Sequence, residues 1–245
     1  MMCQTGGMPR KRGRAPAGGR ADALSRQIVV GAAIALLDEF GERGLTFRLL
    51  AERLNTGSGA LYWHVASKSE LLDAAADTVV ADAVAIKPAE PTGLPGPPGS
   101  PQDEIRAIAL GLFDAIDEHP WVATQLATEL SRSPWQPVML RILESIGQQI
   151  RALGVPEDMW FTASSALVHY ILGTAGQNAT NGRILGPGTD RGEFLDAASR
   201  AWKELDPDDY PFTRAVADQM RGHDDREQFL AGIDLILAGI AALST

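Results

Sequence analysis

The sequence predicts an all-α chain: a small N-terminal three-helix unit containing a helix-turn-helix, then a larger helical body. Three observations carry this expectation. Apolar residues recur at spacings of three and four from residue 24 onward, and no stretch alternates as a half-buried strand would. Prolines crowd into KPAEPTGLPGPPGSP (87–101), where six of them exclude helix or strand interior. Two short helical patterns also meet across Asn55-Thr56-Gly57, a tight turn built from residues that tolerate positive φ.

Residues 1–22 are rich in Gly, Arg, Pro and Ala without periodicity and read as a flexible basic arm. From Leu24 to Phe40, apolar positions 28, 32, 35, 36 and 40 mark the first helix, which Gly41 and Gly44 break. Thr46 is placed to cap a short second helix with Leu49, Leu50 and Leu54 as its buried stripe around Ala51. A third short helix is expected over 58–64. Ser67-Lys68-Ser69-Glu70 has the spacing of a capping box, opening a fourth helix to about Ile86. These elements make a helix-turn-helix domain over 23–86, with 87–101 as a linker. Beyond it, helices are expected at about 102–119, 121–131, 135–153, 157–180, 191–205, 211–221 and 225–243, with Pro120, Pro134 and Pro156 at starts. They form a second domain, 102–245.

Charge divides the chain the same way. Residues 1–68 carry ten Lys/Arg against five Asp/Glu, whereas 69–245 carry twelve against twenty-six. A head of net +5 on a body of −14 suits a polyanionic partner for the head alone. The apolar run Ile28–Leu37 is about half the length of a membrane span. It follows the basic RKRGR, as in a signal peptide. Asp38, Glu39 and Glu42 then stand where a small-residue cleavage site would be needed. No membrane partner is expected. The single cysteine, Cys3, cannot form an intrachain disulfide, which fits a reducing, cytoplasmic setting.

The stretch SGALYWHVASKSE (58–70) is where chemistry concentrates. On a helix that enters the major groove, small or polar N-terminal residues let the backbone approach the duplex, and Ser58, Gly59 and Ala60 are such residues. Leu61 faces the core, while Tyr62 and His64 reach toward phosphates or base edges. Lys68 stands at the positive N-terminus of the next helix, a setting for a phosphate clamp, with Arg48 as a second candidate. Trp63 is expected to pack. His64 has no cysteine or second histidine near it in sequence, the others being at 119, 169 and 223. No nucleophile–base motif accompanies it either. An enzyme, a metal site or a bound cofactor is therefore not expected.

LTFRLLAERLNTGSGALYWHVASKSELLDAAAD (45–77) resembles the DNA-binding domain of the TetR family of transcriptional repressors, most specifically in LAERL, GALYWHV and SKSELL. The segment DDREQFLAGIDLILAGIAAL (224–243) resembles the last helix of the branch nearest the tetracycline repressor. Leu54-Asn55-Thr56 departs from the family's usual Leu-Gly-Val at the turn. The resemblance implies a homodimer on a near-palindromic double-stranded DNA operator, controlled by a small-molecule effector, with helices 157–180 and 225–243 forming a four-helix dimer core. Phe229, Ile233, Ile236, Leu237 and Ile240 are the apolar face expected at that interface, with Gly232 and Gly239 allowing close approach. The same face could pack inside one subunit. Phe113, Trp121, Gln125, Trp135, Met139, Trp160, Ser165 and His169, with Thr128, Met159 and Thr162, supply the mixture of large apolar and polar groups expected of an effector pocket. Repression is the expected sign of regulation; activation, or a helical adaptor without effector, are the alternatives.

Overall fold

The computed structural model describes residues 24–85, 99–185 and 190–243, and all regular structure among them is helical. The arm 1–22 and most of the linker lie outside the described residues. Ser25 opens α1 (Arg26–Gly44), its hydroxyl accepting from the Ile28 amide at 3.2 Å. The buried face of α1 is Val29, Val30, Ala33, Leu36 and Leu37, one step round from the expected stripe, in which only Leu36 is fully buried. IVVGAAIALL is apolar on every side, so its periodicity does not choose a face; packing against the neighbouring helices does. Gly41, at φ 66° and ψ −179°, breaks the helical path near its end, a backbone position open to glycine and few others.

Thr46 caps α2 (Phe47–Arg53) through a 3.2 Å bond from the Leu49 amide. The turn that follows is closed by the Thr56 amide on Ala51 O and the Asn55 amide on Glu52 O. Asn55 stands at φ 49°, so this is the paired-bond helix stop that needs a left-handed residue, filled here by asparagine. One turn of helix, α3 (Ser58–Leu61), succeeds it, shorter than the expected 58–64. Ser67 then caps α4 (Lys68–Val84) by accepting from the Glu70 amide at 3.1 Å. Glu70 Oε2 returns to the Ala66 amide at 2.8 Å, one residue earlier than a reciprocal capping box would have it.

α4 has two sets of neighbours. It packs on α1 at the head and also on α5 (Pro101–Glu118), α6 (Trp121–Arg132) and α7 (Pro137–Ala152) of the body. Ser100 and Pro101, expected in the linker, are the N-cap and first residue of α5. α7 starts at Pro137, later than its expected start at 135. A 3-10 turn (Glu157–Met159) leads into α8 (Trp160–Leu185), the central helix, which packs on α5, α6, α7 and α11 (Asp225–Ala241). Between them lie α9 (Arg191–Lys203), α10 (Pro211–Ala215) and a second 3-10 turn (Ala217–Met220), where one helix was expected over 211–221. No described helix is long and apolar enough to cross a membrane.

The expected dimer face of α11 is largely the core of the single chain. Phe229, Ile233, Leu237 and Ile240 are all 4 % exposed or less, against α5 and α8. The ring of Phe229 packs on Phe113 at 4.7 Å. Gly232 does allow close approach, but to Tyr170 of the same chain, whose hydroxyl donates to Phe229 O at 3.2 Å. A helix so uniformly apolar has two usable faces, and the more strongly branched one went inward.

Candidate nucleic-acid interface

Leu61 and Val65, one turn apart, are at most 1 % exposed and hold α3 against the head's core. That anchorage turns the residues between them outward. Tyr62 is 56 % exposed and Trp63 89 % exposed, so Trp63 does not pack as expected. The Tyr62 ring stacks flat on Phe47 at 4.6 Å, which places it beside the start of α2 and next to Arg48. The Arg48 side chain is open to solvent, with only a loose 4.0 Å approach to Glu52. Ser58 and Gly59 are exposed and Ala60 half-buried at the start of α3, and among the described residues nothing lies within 4 Å of where a Gly59 side chain would begin. Small residues, two aromatic rings and a cation thus share one outward-facing corner.

The flanks of this corner are tied down. Arg26 of α1 donates to the His64 carbonyl at 3.2 Å and to Glu70 at 3.0 Å, joining α1, the end of the reading segment and α4. His64 itself is half-buried. Lys68 Nζ donates to the Glu42 carbonyl at 2.6 Å, so one of its three donors is held by the head while the ammonium stays at the start of α4. Such a bond fixes where the charge sits, and two donors remain for an anion.

Among the described residues, three polar junctions fasten the head to the body, each through a carboxylate on α1 or α4. Asp38 Oδ1 lies 2.8 Å from His119 Nδ1 and accepts from the Trp121 indole at 2.8 Å, at the corner between α5 and α6. Asp77 takes a forked contact of 3.1–3.2 Å from Arg141 on α7. Asp73 accepts from Gln125 at 3.0 Å, and Gln125 also reaches Glu129 at 3.4 Å. The pKa values of Asp73 and Glu129 are both raised, first because burial disfavours their charged forms. Neighbouring negative charge adds to this, from Glu70 on Asp73 and from Asp73 on Glu129. Glu129 Oε2 is buried without a hydrogen-bond partner among the described residues.

The residues expected around an effector fall in different settings. Phe113, Trp121 and Met139 are packed in the core. Gln125 belongs to the α4–α6 junction. Trp160 donates to Val155 O at 2.7 Å beneath the Arg151 guanidinium, and Ser165 is half-buried on α8. Trp135 is 70 % exposed just before α7, and His169 lies on an exposed face of α8. A cleft of about 440 Å³ opens elsewhere, among α8, α9, the second 3-10 turn and the start of α11, and none of the eight lines it. Its walls include Phe194, Trp202, Met220, Asn181, Gln219 and Arg191. Among the described residues no group of three or more His, Cys, Asp or Glu is placed to hold a metal ion.

A helix-turn-helix with an exposed aromatic and cationic corner, mounted on a helical body, defines a DNA-binding transcriptional regulator. The chain belongs to the TetR family: the model of bacterial regulatory proteins of that family matches residues 29–75, and the tetracyclin repressor-like C-terminal domain matches 94–244. An HTH-type transcriptional regulator of Saccharopolyspora erythraea is 32% identical over 62% of this chain and 59% of its own. The HTH-type transcriptional repressor DrrR1 of Streptomyces coeruleorubidus is 30% identical over 66% of this chain and 57% of its own. The match thus spans less than two thirds of either relative. Among solved structures, the transcriptional regulator SCO7222, a TetR from Streptomyces coelicolor, is 63% identical with a TM-score of 0.80, covering 91% of this chain and 100% of that one. ActR of the same organism, solved in complex with actinorhodin, is 25% identical with a TM-score of 0.70, over 91% and 99%.

Proposed function

We propose that this regulator is a cytoplasmic repressor that binds a near-palindromic operator as a homodimer and is released from it by a small amphipathic effector. The observation that carries the reading is the outward corner of Arg48, Tyr62 and Trp63, built on a basic head whose orientation is set by α4. Ser58, Gly59 and Ala60 let the backbone approach base edges. Tyr62, His64, Lys68 and Arg48 hold the sugar-phosphate chain to either side.

Two features support a second copy. On α11, Leu235 is 76 % exposed among Ala231, Ala238, Gly239 and Ala242, and no other group of the described residues lies within 4 Å of a side chain begun at Gly239. On α8, Thr162, Ala166, His169, Gly173 and Gln177 form an exposed row at helical spacing. Small residues of this kind let helices of two copies approach closely, and they are the faces left over once the chain has buried Phe229, Ile233, Leu237 and Ile240. In this reading the units are the arm 1–22, the head 23–86, a linker ending before Ser100 and the body beyond it.

Release follows from the three junctions. The effector must bind one arrangement of the body better than the other, because equal affinity shifts nothing. A shift of α6 or α7 reaches the head through Asp38, Asp73 and Asp77, and changes the separation of the two reading segments. Half-sites one helical turn, about 34 Å, apart are then no longer matched. ActR's complex with actinorhodin supports ligand control, and the repressor DrrR1 supports the sign. The test is selection of the full chain on random duplex DNA. A two-fold symmetric motif is the expected result, and recovery of no motif would remove the reading.

A further inference from the structure

We infer that the cleft among α8, α9, the second 3-10 turn and the start of α11 is the effector site, and that it takes a flat, neutral aromatic molecule carrying several hydroxyl or carbonyl oxygens. The inference rests on the ligand-controlled reading above and names the place and chemistry of that control. At about 440 Å³ the cleft is within the ordinary range of small-molecule sites, about 300–1,000 Å³.

Its chemistry is divided. Phe194, about half exposed, and Trp202, half-buried, offer ring surfaces beside Met220. Amides line the cleft as well: Gln177 donates to Asn181 at 2.9 Å, and the groups this pair leaves over, with exposed Gln219, both donate and accept. A wholly apolar guest would strip water from those amides without replacing its hydrogen bonds, at a cost for each group left unpaired. A simple anion is disfavoured as well. The Arg191 guanidinium is already matched by Asp225, whose two oxygens each lie 2.9 Å from Nη2. His223 Nε2 sits 2.9 Å from the same carboxylate. Yet the Arg191 Nε–H is buried with no acceptor among the described residues. That is an open donor in a site whose charge is already balanced, and a neutral oxygen acceptor suits it. Oxygen-bearing rings that stack on Phe194 and Trp202 satisfy all of these groups together.

The position gives the cleft a route to regulation. Gln177 belongs to the exposed row of α8, and Gln228, another lining residue, precedes Ala231 on the exposed side of α11. A guest that moves α9 against α8 therefore acts at the edge of the faces proposed to join two copies.

The probes are quercetin and 1,8-dihydroxyanthraquinone, with anthracene and inorganic phosphate as controls. Ligand-observed saturation-transfer spectra of the full chain should show saturable binding of at least one of the first two and of neither control. Gln219→Trp, an exposed position that fills the cleft without touching the core, should weaken binding about tenfold or more. Arg191→Met should weaken it by about tenfold through loss of the donor, and circular dichroism establishes that the variant is folded. The bound probe should also release DNA chosen by selection. No saturable binding, or binding unchanged in Gln219→Trp, would overturn the site. Binding in the cleft with DNA retention unaltered would overturn its role as effector site. Failure of the unliganded chain to retain any selected DNA would instead strike the regulator reading itself.

Discussion

Histidine and tryptophan occur close together twice, and the two pairs have opposite fates. At the end of the reading segment, Trp63 is 89 % exposed and its neighbour His64 offers only its backbone carbonyl to Arg26. At the corner between α5 and α6, His119 and Trp121 both converge on Asp38, and Trp121 is 7 % exposed. The difference is made by a carboxylate that arrives from a distant part of the chain. Where it is present, the aromatic pair becomes a joint between head and body. Where no such partner arrives, an exposed indole remains, which is costly to leave in water unless a partner covers it.

The strongest way to break this contrast is to remove the carboxylate. Asp38→Ala strands the Trp121 indole N–H and the His119 ring nitrogen, and should cost about 2 kcal/mol of stability in denaturant unfolding. The same variant should blunt effector-driven release more than operator binding, since it cuts a junction and leaves the reading corner intact. Unchanged stability would mean that the corner packs equally well without its acceptor.

The converse variant, Trp63→Ala, should leave the melting temperature nearly unaltered while lowering operator affinity about tenfold, or about 1.4 kcal/mol. Fluorescence anisotropy on a selected operator reads it. A drop in melting temperature with affinity preserved would reverse the roles given to the two pairs.

Lys68→Met sharpens the head's side of the comparison. Affinity for all duplexes should fall severalfold, and the log–log salt slope should become shallower by about 1, as expected for one lost phosphate contact. A slope identical to that of the unaltered chain would make Lys68 a purely structural tie to Glu42.

The smallest effect concerns Glu129, whose Oε2 is buried without a partner among the described residues. Its pKa and that of Asp73 are raised in the folded chain, from 4.5 and 3.8 respectively, first by burial. The folded state therefore binds these protons more tightly than the unfolded one. Their contribution is full below the ordinary carboxylate values and is lost as pH rises through the raised ones. Glu129→Gln should raise stability at neutral pH by roughly 1 kcal/mol and flatten the pH dependence in that window. Thermal melts from pH 4 to 7 are the check, and a lower melting temperature at neutral pH would contradict it.

Much of the head was legible because its signals are local. Thr46 and Ser67 cap as their types suggest, and Asn55 takes the left-handed turn, since each contact spans only three to five residues. Trp63 was legible too, though assigned to packing: with Leu61 and Val65 on the core side, a residue midway between them points outward on a helical path. The cleft beside α9 was not. An aromatic residue in a helical stripe reads alike whether it lines a cleft or fills a core, and the cleft's walls come from segments up to 54 residues apart, from Thr174 to Gln228.

The sequence by itself determined that the chain is helical, where most helices begin and end, and that a basic helix-turn-helix head precedes an acidic body. Periodicity, capping residues and prolines act within a few residues, and charge needs only counting. Tertiary structure decided which face of each apolar helix turned inward. α1 and α11 could bury more than one side, and the choice was made by the helices they met. It also decided which polar groups became partners, because Asp38 finds His119 and Trp121 more than 80 positions away only after the head and body have packed.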